Sequence, residues 1–135
     1  MNEQPEIIEA LTDYYAAFST LDAQAFLPFF HEPTLLIAPE GIIAATTHAV
    51  LAAAFAPTLE NLRAQGFARS DLNVRQIKTL SATAGLLTGV AIRYKRDGQE
   101  MERVGVTYVL HKKDAAWKIA VLILHDVDEN EAGAS

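Results

Sequence analysis

The sequence predicts an α+β domain with helices packed on one face of a curved sheet. Three observations lead there. An amphipathic helical stripe opens the chain, and a second long helical pattern follows at 46–66. From residue 67 onward the chain turns to consecutive strand-like segments rich in Val, Ile, Leu, Thr and Tyr.

The first helix is expected over residues 5–21. Pro5 suits a first turn, and Glu3, Glu6 and Glu9 complement the positive end of the helix dipole. Ile7, Leu11, Tyr14, Phe18 and Leu21 recur at spacings of three and four and form one apolar stripe. Asp22 is the expected N-cap of a short second helix, AQAFLPFF, which Pro33 stops. TLLIAP reads as a short strand, and EGIIAATT as a turn followed by another. Thr46 or Thr47 caps the third helix, HAVLAAAFAPTLENLRAQG. Pro57 predicts a kink or break inside it, because proline lacks the N–H that the helix ladder uses. Gly66 ends it.

The closing segments are FARSDLNVRQIKTL, GLLTGVAIRYKR, QEMERVGVTYVLHK and WKIAVLILHD. Asp97-Gly98 predicts a two-residue type I′ hairpin turn between the middle two. No repeat or linker interrupts the 135 residues. A single domain is expected over 1–127, with 128–135 as a disordered acidic tail.

Composition bounds the function. The chain has 17 acidic against 11 basic residues and a formal charge of −6, which argues against nucleic acid and anionic membrane surfaces as partners. It has no cysteine, so disulfides, thiolate nucleophiles and Cys-ligated metals are excluded. The N-terminus lacks a hydrophobic signal core, and no apolar run reaches the roughly 18 residues of a membrane span, so a cytoplasmic location is expected. The four histidines show no HxH or HExxH spacing, and neither a metal nor another cofactor is expected. There is no GxGxxG, Walker loop or GxSxG elbow.

The helix IIEALTDYYAAFSTLD, the passage FF…P…LLIAPEG, the central helix and the closing GVTYVLHKKDAAWKIAVLILHD resemble, in order and length, the NTF2-like superfamily. That group includes SnoaL-like cyclases, ketosteroid isomerases, scytalone dehydratase and limonene epoxide hydrolase. The resemblance spans about residues 5 to 126 and implies a cone: three helices on a strongly curved sheet around one pocket, in a homodimer. YYAAFSTLD is similar to the isomerase helix and implies that its oxyanion-hole tyrosine corresponds to Tyr14. The isomerase's general-base aspartate falls on Ala38 and its second aspartate near Thr107, so the isomerase's own proton transfer is not expected. The epoxide hydrolase's carboxylate–arginine–carboxylate set is not apparent either.

Hairpin register assigns the sheet faces, because successive residues of a strand point to opposite sides. A two-residue Asp97-Gly98 turn pairs Lys95 with Glu100 and Arg93 with Glu102, opposite-charge pairs that make Arg93 and Lys95 structural. The other face carries Thr88, Val90, Ile92 and Tyr94 with Met101, Arg103, Gly105, Thr107 and Val109. The resemblance places Thr107 in the pocket, so this face is expected to be the concave one. A three-residue loop at Lys113-Asp114-Ala115 then sets Arg103 opposite His125 and adds Ile119, Val121 and Ile123 to the wall. A loop one residue longer or shorter turns His125 outward.

The expected pocket lining is therefore Phe18, Ala38, Phe55, Thr88, Val90, Ile92, Thr107, Val121 and Ile123. The expected catalytic groups are His125 as acid or base, with Tyr14 and Arg103 holding a developing oxyanion. Each has a plainer reading: His125 as a strand-end histidine bonded to backbone or Asp126, Arg103 as one half of an ion pair, Tyr14 as a core tyrosine, Thr107 as an ordinary strand threonine. His31 is read as a turn residue, His48 as first-turn, His111 as solvated, and Trp117 as packing.

Two functions follow. One is a cofactor-independent SnoaL-like isomerase, cyclase, dehydratase or hydrolase, or a binder, acting on a small hydrophobic ligand. The alternative is a non-catalytic dimeric association or ligand-binding module, joined through a convex sheet face bearing Val104, Val106, Tyr108 and Leu110.

Overall fold

The computed structural model describes residues 3–127, and the expected acidic tail at 128–135 lies outside the described residues. Helix α1 spans Gln4–Phe18 and α2 Ala23–Phe26, continued by a 3-10 turn at Leu27–Phe29. Strands β1 (Phe30–Ala38) and β2 (Gly41–Ala45) form a hairpin, followed by α3 (His48–Ala64). Four long strands close the chain: β3 (Phe67–Ser81), β4 (Ala84–Lys95), β5 (Glu100–Lys113) and β6 (Ala116–His125). They join one sheet in the order β2-β1-β6-β5-β4-β3, antiparallel except where β1 pairs with β6. The sheet curls around the helices without closing.

The local signals work as the residue chemistry requires. Asp22 caps α2 by accepting from Gln24 N–H at 3.0 Å, and Thr47, rather than Thr46, caps α3. Helix α1 stops at Phe18, short of the expected Leu21, because Ser19 and Thr20 turn their hydroxyls back onto Tyr15 and Ala17 carbonyls and Leu21 takes a positive φ of 60°. Pro33 lies inside β1 rather than ahead of it. Pro57 does not break α3, which is unbroken through Ala64; residues 53 and 57 both face solvent, where water can serve the carbonyl that proline leaves unpaired. Gly66 follows α3 at φ 80° as expected.

Helix α1 buries Ile7, Leu11, Tyr14 and Phe18, its sequence stripe, together with Tyr15. These pack on Leu87, Ala91, Val106, Tyr108, Leu110, Ile119 and Leu122 from the inner face of the sheet. Each fully buried aliphatic or phenyl side chain contributes about 1.5–3 kcal/mol relative to exposure. Tyr14 is the hub of an aromatic cluster, with ring centroids of Tyr15, Phe18, Phe26, Phe29, Phe30 and Tyr108 at 5.3 to 6.2 Å. No described helix is long and apolar enough to cross a membrane.

Candidate functional site

Strand register decides which side chains meet the helices. Arg93 lies opposite Glu102, Ala91 opposite Val104, Gly89 opposite Val106 and Leu87 opposite Tyr108. Apart from Gly89, these are the residues that pack on α1 and α3 or line the space between them. Thr88 with Thr107, Val90 with Gly105 and Ile92 with Arg103 are one residue out of phase and point to the outer face.

An open cavity of about 690 Å³ lies between α3, the β1–β2 hairpin and the inner face of the sheet. The hairpin contributes Leu36, Ala38, Glu40 and Ile43, and α3 contributes Ala54, Phe55, Thr58 and Asn61. Arg93, Glu102, Val104, Leu122 and Leu124 form the sheet wall. A narrower crevice of about 60 Å³ shares Phe55, Thr58, Arg93, Leu122 and Leu124 with it and is lined further by Tyr14, Tyr15, Phe18, Ser70 and Tyr108.

Arg93 stands where the two spaces meet. Among the described residues it is the one Lys or Arg lining either of them. Its Nη1 donates to Glu102 Oε2 at 2.6 Å, while Nε is buried and donates to no protein atom among the described residues. The side chain is 16% exposed against 46% for Glu102, so the carboxylate is far better hydrated than the guanidinium.

Behind Arg93 the hydroxyls of Tyr15 and Tyr108 share a hydrogen bond of 2.7 Å. Burial pushes the Tyr15 phenol up to about 12, against a partial lowering by its bond to Tyr108 and by the Arg93 charge. Burial raises Tyr14 and Tyr108 as well, again with Arg93 pulling the other way. All three are neutral hydrogen-bond donors at physiological pH. The carboxylates lining the cavity are Glu102, engaged by Arg93, and Glu40. No histidine lines the cavity or the crevice, and no group of metal-binding side chains occurs among the described residues.

Of the residues expected from sequence, Tyr14, Phe18, Ala38 and Phe55 line these spaces. Thr88, Val90, Ile92, Thr107, Val121, Ile123, Arg103 and His125 line neither, and the expected facing is corrected: they share the outer face. Arg103 is half-exposed and holds Glu100 through two hydrogen bonds of 2.8 and 3.0 Å. His125 Nδ1 donates to the Asp126 carbonyl at 2.9 Å, which leaves Nε2 to accept from Thr107 Oγ1 at 3.0 Å. Thr88 Oγ1 lies 3.1 Å from that of Thr107.

The physical reason is a single step of phase. The expected last register had the right parity, since His125 does share a face with Thr107. The loop is one residue shorter than expected, with Lys113 opposite Ala116, and an irregularity at Ala120 moves the pairing by one more, so Gly105 rather than Arg103 lies opposite His125. What inverted the faces was the placing of Thr107 in the pocket, where the structure has its neighbour Tyr108. Val104, Val106, Tyr108 and Leu110, expected on an exposed convex face, belong to the inner face.

Arg93, Glu102, Tyr15 and Tyr108 line the cavity or the crevice and were not among the expected site residues. Their signal was present: an opposite-charge pair on the more apolar face of a hairpin, in line with Tyr108. Among the other histidines, His48 occupies the first turn of α3 with Nε2 2.9 Å from Phe30 O, and exposed His111 meets the ring of His31 at 5.3 Å. Trp117 is buried as expected.

A family profile described as NTF2-like protein (DUF6841) matches residues 3–127. No curated protein matches the chain. Among solved structures, an NTF2-like protein of unknown function from Shewanella oneidensis is similar at TM-score 0.72 and 20% identity, covering 93% of this chain and 100% of that one. A putative calcium/calmodulin-dependent protein kinase II association domain from Xanthomonas campestris gives TM-score 0.74 at 16% identity, covering 96% and 91%. A ketosteroid isomerase-like protein from Erwinia carotovora atroseptica gives 0.68 at 13% identity, covering 94% and 98%. At these identities the likeness is one of fold.

Proposed function

We propose a ligand-binding function from one premise: the chain belongs to the NTF2-like family. On this reading the cavity holds a small, mostly apolar molecule, with its polar end toward Arg93 and Tyr14. The observation that carries it is the cavity of about 690 Å³, whose Phe55, Val104, Leu122 and Leu124 walls run up to the largely buried guanidinium of Arg93. That division is how small-molecule sites work: apolar burial supplies affinity, and a few polar groups set orientation. A neutral phenol can give a proton but is no general base, although its oxygen still accepts hydrogen bonds. Any proton transfer would therefore use a wall carboxylate, Glu40 or Glu102, as acceptor, with Tyr14 of the crevice as a hydrogen-bond donor.

Fluorescence titration with phenylnaphthylamine, a neutral apolar probe, tests this. Saturable binding that Ala54→Trp abolishes, by filling the cavity from α3, is the expected result. Absence of saturable binding, or binding that survives Ala54→Trp in a folded protein, overturns it.

A second reading concerns assembly. Leu35 and Ile37 of β1 pair with Val121 and Ile123 of β6, and Val121 pairs with Val109 of β5, so these apolar side chains form a half-buried stripe across the outer face. That stripe supports a homodimer through the outer face, where a second copy would complete its burial. Light scattering at micromolar concentration is expected to give the dimer mass, and Ile123→Glu the monomer mass. A wild-type monomer rejects the reading.

A further inference from the structure

We propose that the ligand of the cavity is an apolar molecule bearing an anionic oxygen group, a carboxylate or its equivalent, and that Arg93 selects for it. The inference rests on the ligand-binding reading above and names its substrate class.

The argument is a count of donors and acceptors where the cavity meets the crevice. Arg93 is the one cation there among the described residues, and its hydrogen bond to Glu102 uses only Nη1. Nε is buried without a protein acceptor. A guanidinium offers five N–H donors in a planar fork, and its geometry matches the two oxygens of a carboxylate. The phenols add donors of their own. Tyr15 and Tyr108 share one hydrogen bond between two hydroxyls, so one O–H of the pair remains to be given away. Facing these, the described residues supply two carboxylates: Glu102, on the solvent side of Arg93 and bonded to it, and Glu40, on the hairpin wall of the cavity. The excess at Arg93 is of hydrogen-bond donors, next to the apolar side chains of Phe55, Leu122 and Leu124. A ligand that completes this site brings acceptors and negative charge at one end and a hydrocarbon body for Phe55, Leu122 and Leu124.

The net charge of −6 works against an anion. That opposition is long-range and fades beyond a Debye length of about 8 Å in physiological salt, whereas contact with a mostly buried guanidinium is hardly screened. The local term therefore decides affinity. Glu102 is the nearer competitor, because it already neutralises part of the Arg93 charge.

The test compares two probes that share an aryl body. Anilinonaphthalene sulfonate carries an anionic group that phenylnaphthylamine lacks. Wild type is expected to bind the sulfonate more tightly. Arg93→Met is expected to weaken the sulfonate about tenfold, the scale of one lost charge-assisted contact, while the neutral probe changes less than about twofold. Glu102→Gln keeps the cation, removes its competitor and replaces a half-exposed side chain, so it keeps the test available if Arg93→Met folds poorly. It is expected to tighten the sulfonate by a clearly larger factor than it changes the neutral probe. Equal affinity of the two probes for wild type, or parallel changes of both in Glu102→Gln, overturns the anion assignment while leaving the pocket standing. If neither probe binds, or both bind undiminished to Ala54→Trp, the pocket reading falls and this inference with it.

Discussion

The imidazole of His125 occupies the space that a side chain on Gly105 would need. A Cβ built on Gly105 would stand 2.5 Å from Nδ1 and 2.7 Å from Cε1 of His125, and 2.7 Å from the Asp126 carbonyl oxygen. The two residues face each other across β5 and β6, and the same ring accepts from Thr107. Gly105→Ala must therefore push the ring out or part the strand ends. The expected cost is about 1–3 kcal/mol, the usual price of overpacking, read as a lower urea midpoint. An unchanged midpoint would mean that the end of β6 moves freely.

His125 lies on the outer face, so its removal should not touch the cavity. His125→Ala is expected to lose about 0.5–1.5 kcal/mol of stability with its hydrogen bond and to leave phenylnaphthylamine affinity unchanged. A large loss of probe affinity at unchanged stability would return the histidine to the site.

The helices and strands were legible in sequence because their signals are local. The Asp22 cap, the α1 stripe and Gly66 each act through neighbours within a turn or two. The faces of the strands were not, because they depend on a count that a single bulge alters. Asp97-Gly98 does not form the mirror-image turn: only Gly98 has a positive φ, and its N–H closes on Lys95 O at 2.9 Å. The register slips by one there and is restored by an irregularity at Met101, so the Arg93–Glu102 pair survives. Two successive positive φ values occur instead at Asp114 and Ala115, 52° and 65°. Alanine carries no propensity for that region, so nothing in the sequence announced the tighter loop. Composition could have corrected the faces. Val104, Val106, Tyr108 and Leu110 were read as needing a partner, and the amphipathic stripe of α1 was the partner already in the chain.

The buried phenols set an alkaline limit. The Tyr15 phenol is pushed from 10.0 to about 12 by burial, and Tyr14 and Tyr108 move the same way. A raised folded-state value in an acid means that folding favours the neutral form. The resulting stability is fully present below the unfolded value of 10.0 and is lost as pH rises through about 12. Phenolate absorbance of the native protein should therefore rise above pH 10 by much less than its four tyrosines would give unfolded, until a cooperative step that coincides with loss of circular dichroism. Full, gradual titration of a still-folded protein near pH 10 would place the phenols in water.

The Tyr15–Tyr108 bond makes a prediction about non-additivity. The hydroxyls lie 2.7 Å apart in a region where both residues are nearly inaccessible. Tyr15→Phe or Tyr108→Phe alone leaves one buried hydroxyl without its partner, which costs about 1–3 kcal/mol. The double variant replaces both polar groups by a ring of the same shape and leaves nothing unsatisfied. Its cost should fall below the sum of the single costs by about 1 kcal/mol or more, the coupling typical of residues in direct contact. Urea denaturation of the four proteins closes the cycle. Strict additivity would mean that each hydroxyl is served elsewhere, and the count of donors behind Arg93 would have to be redrawn.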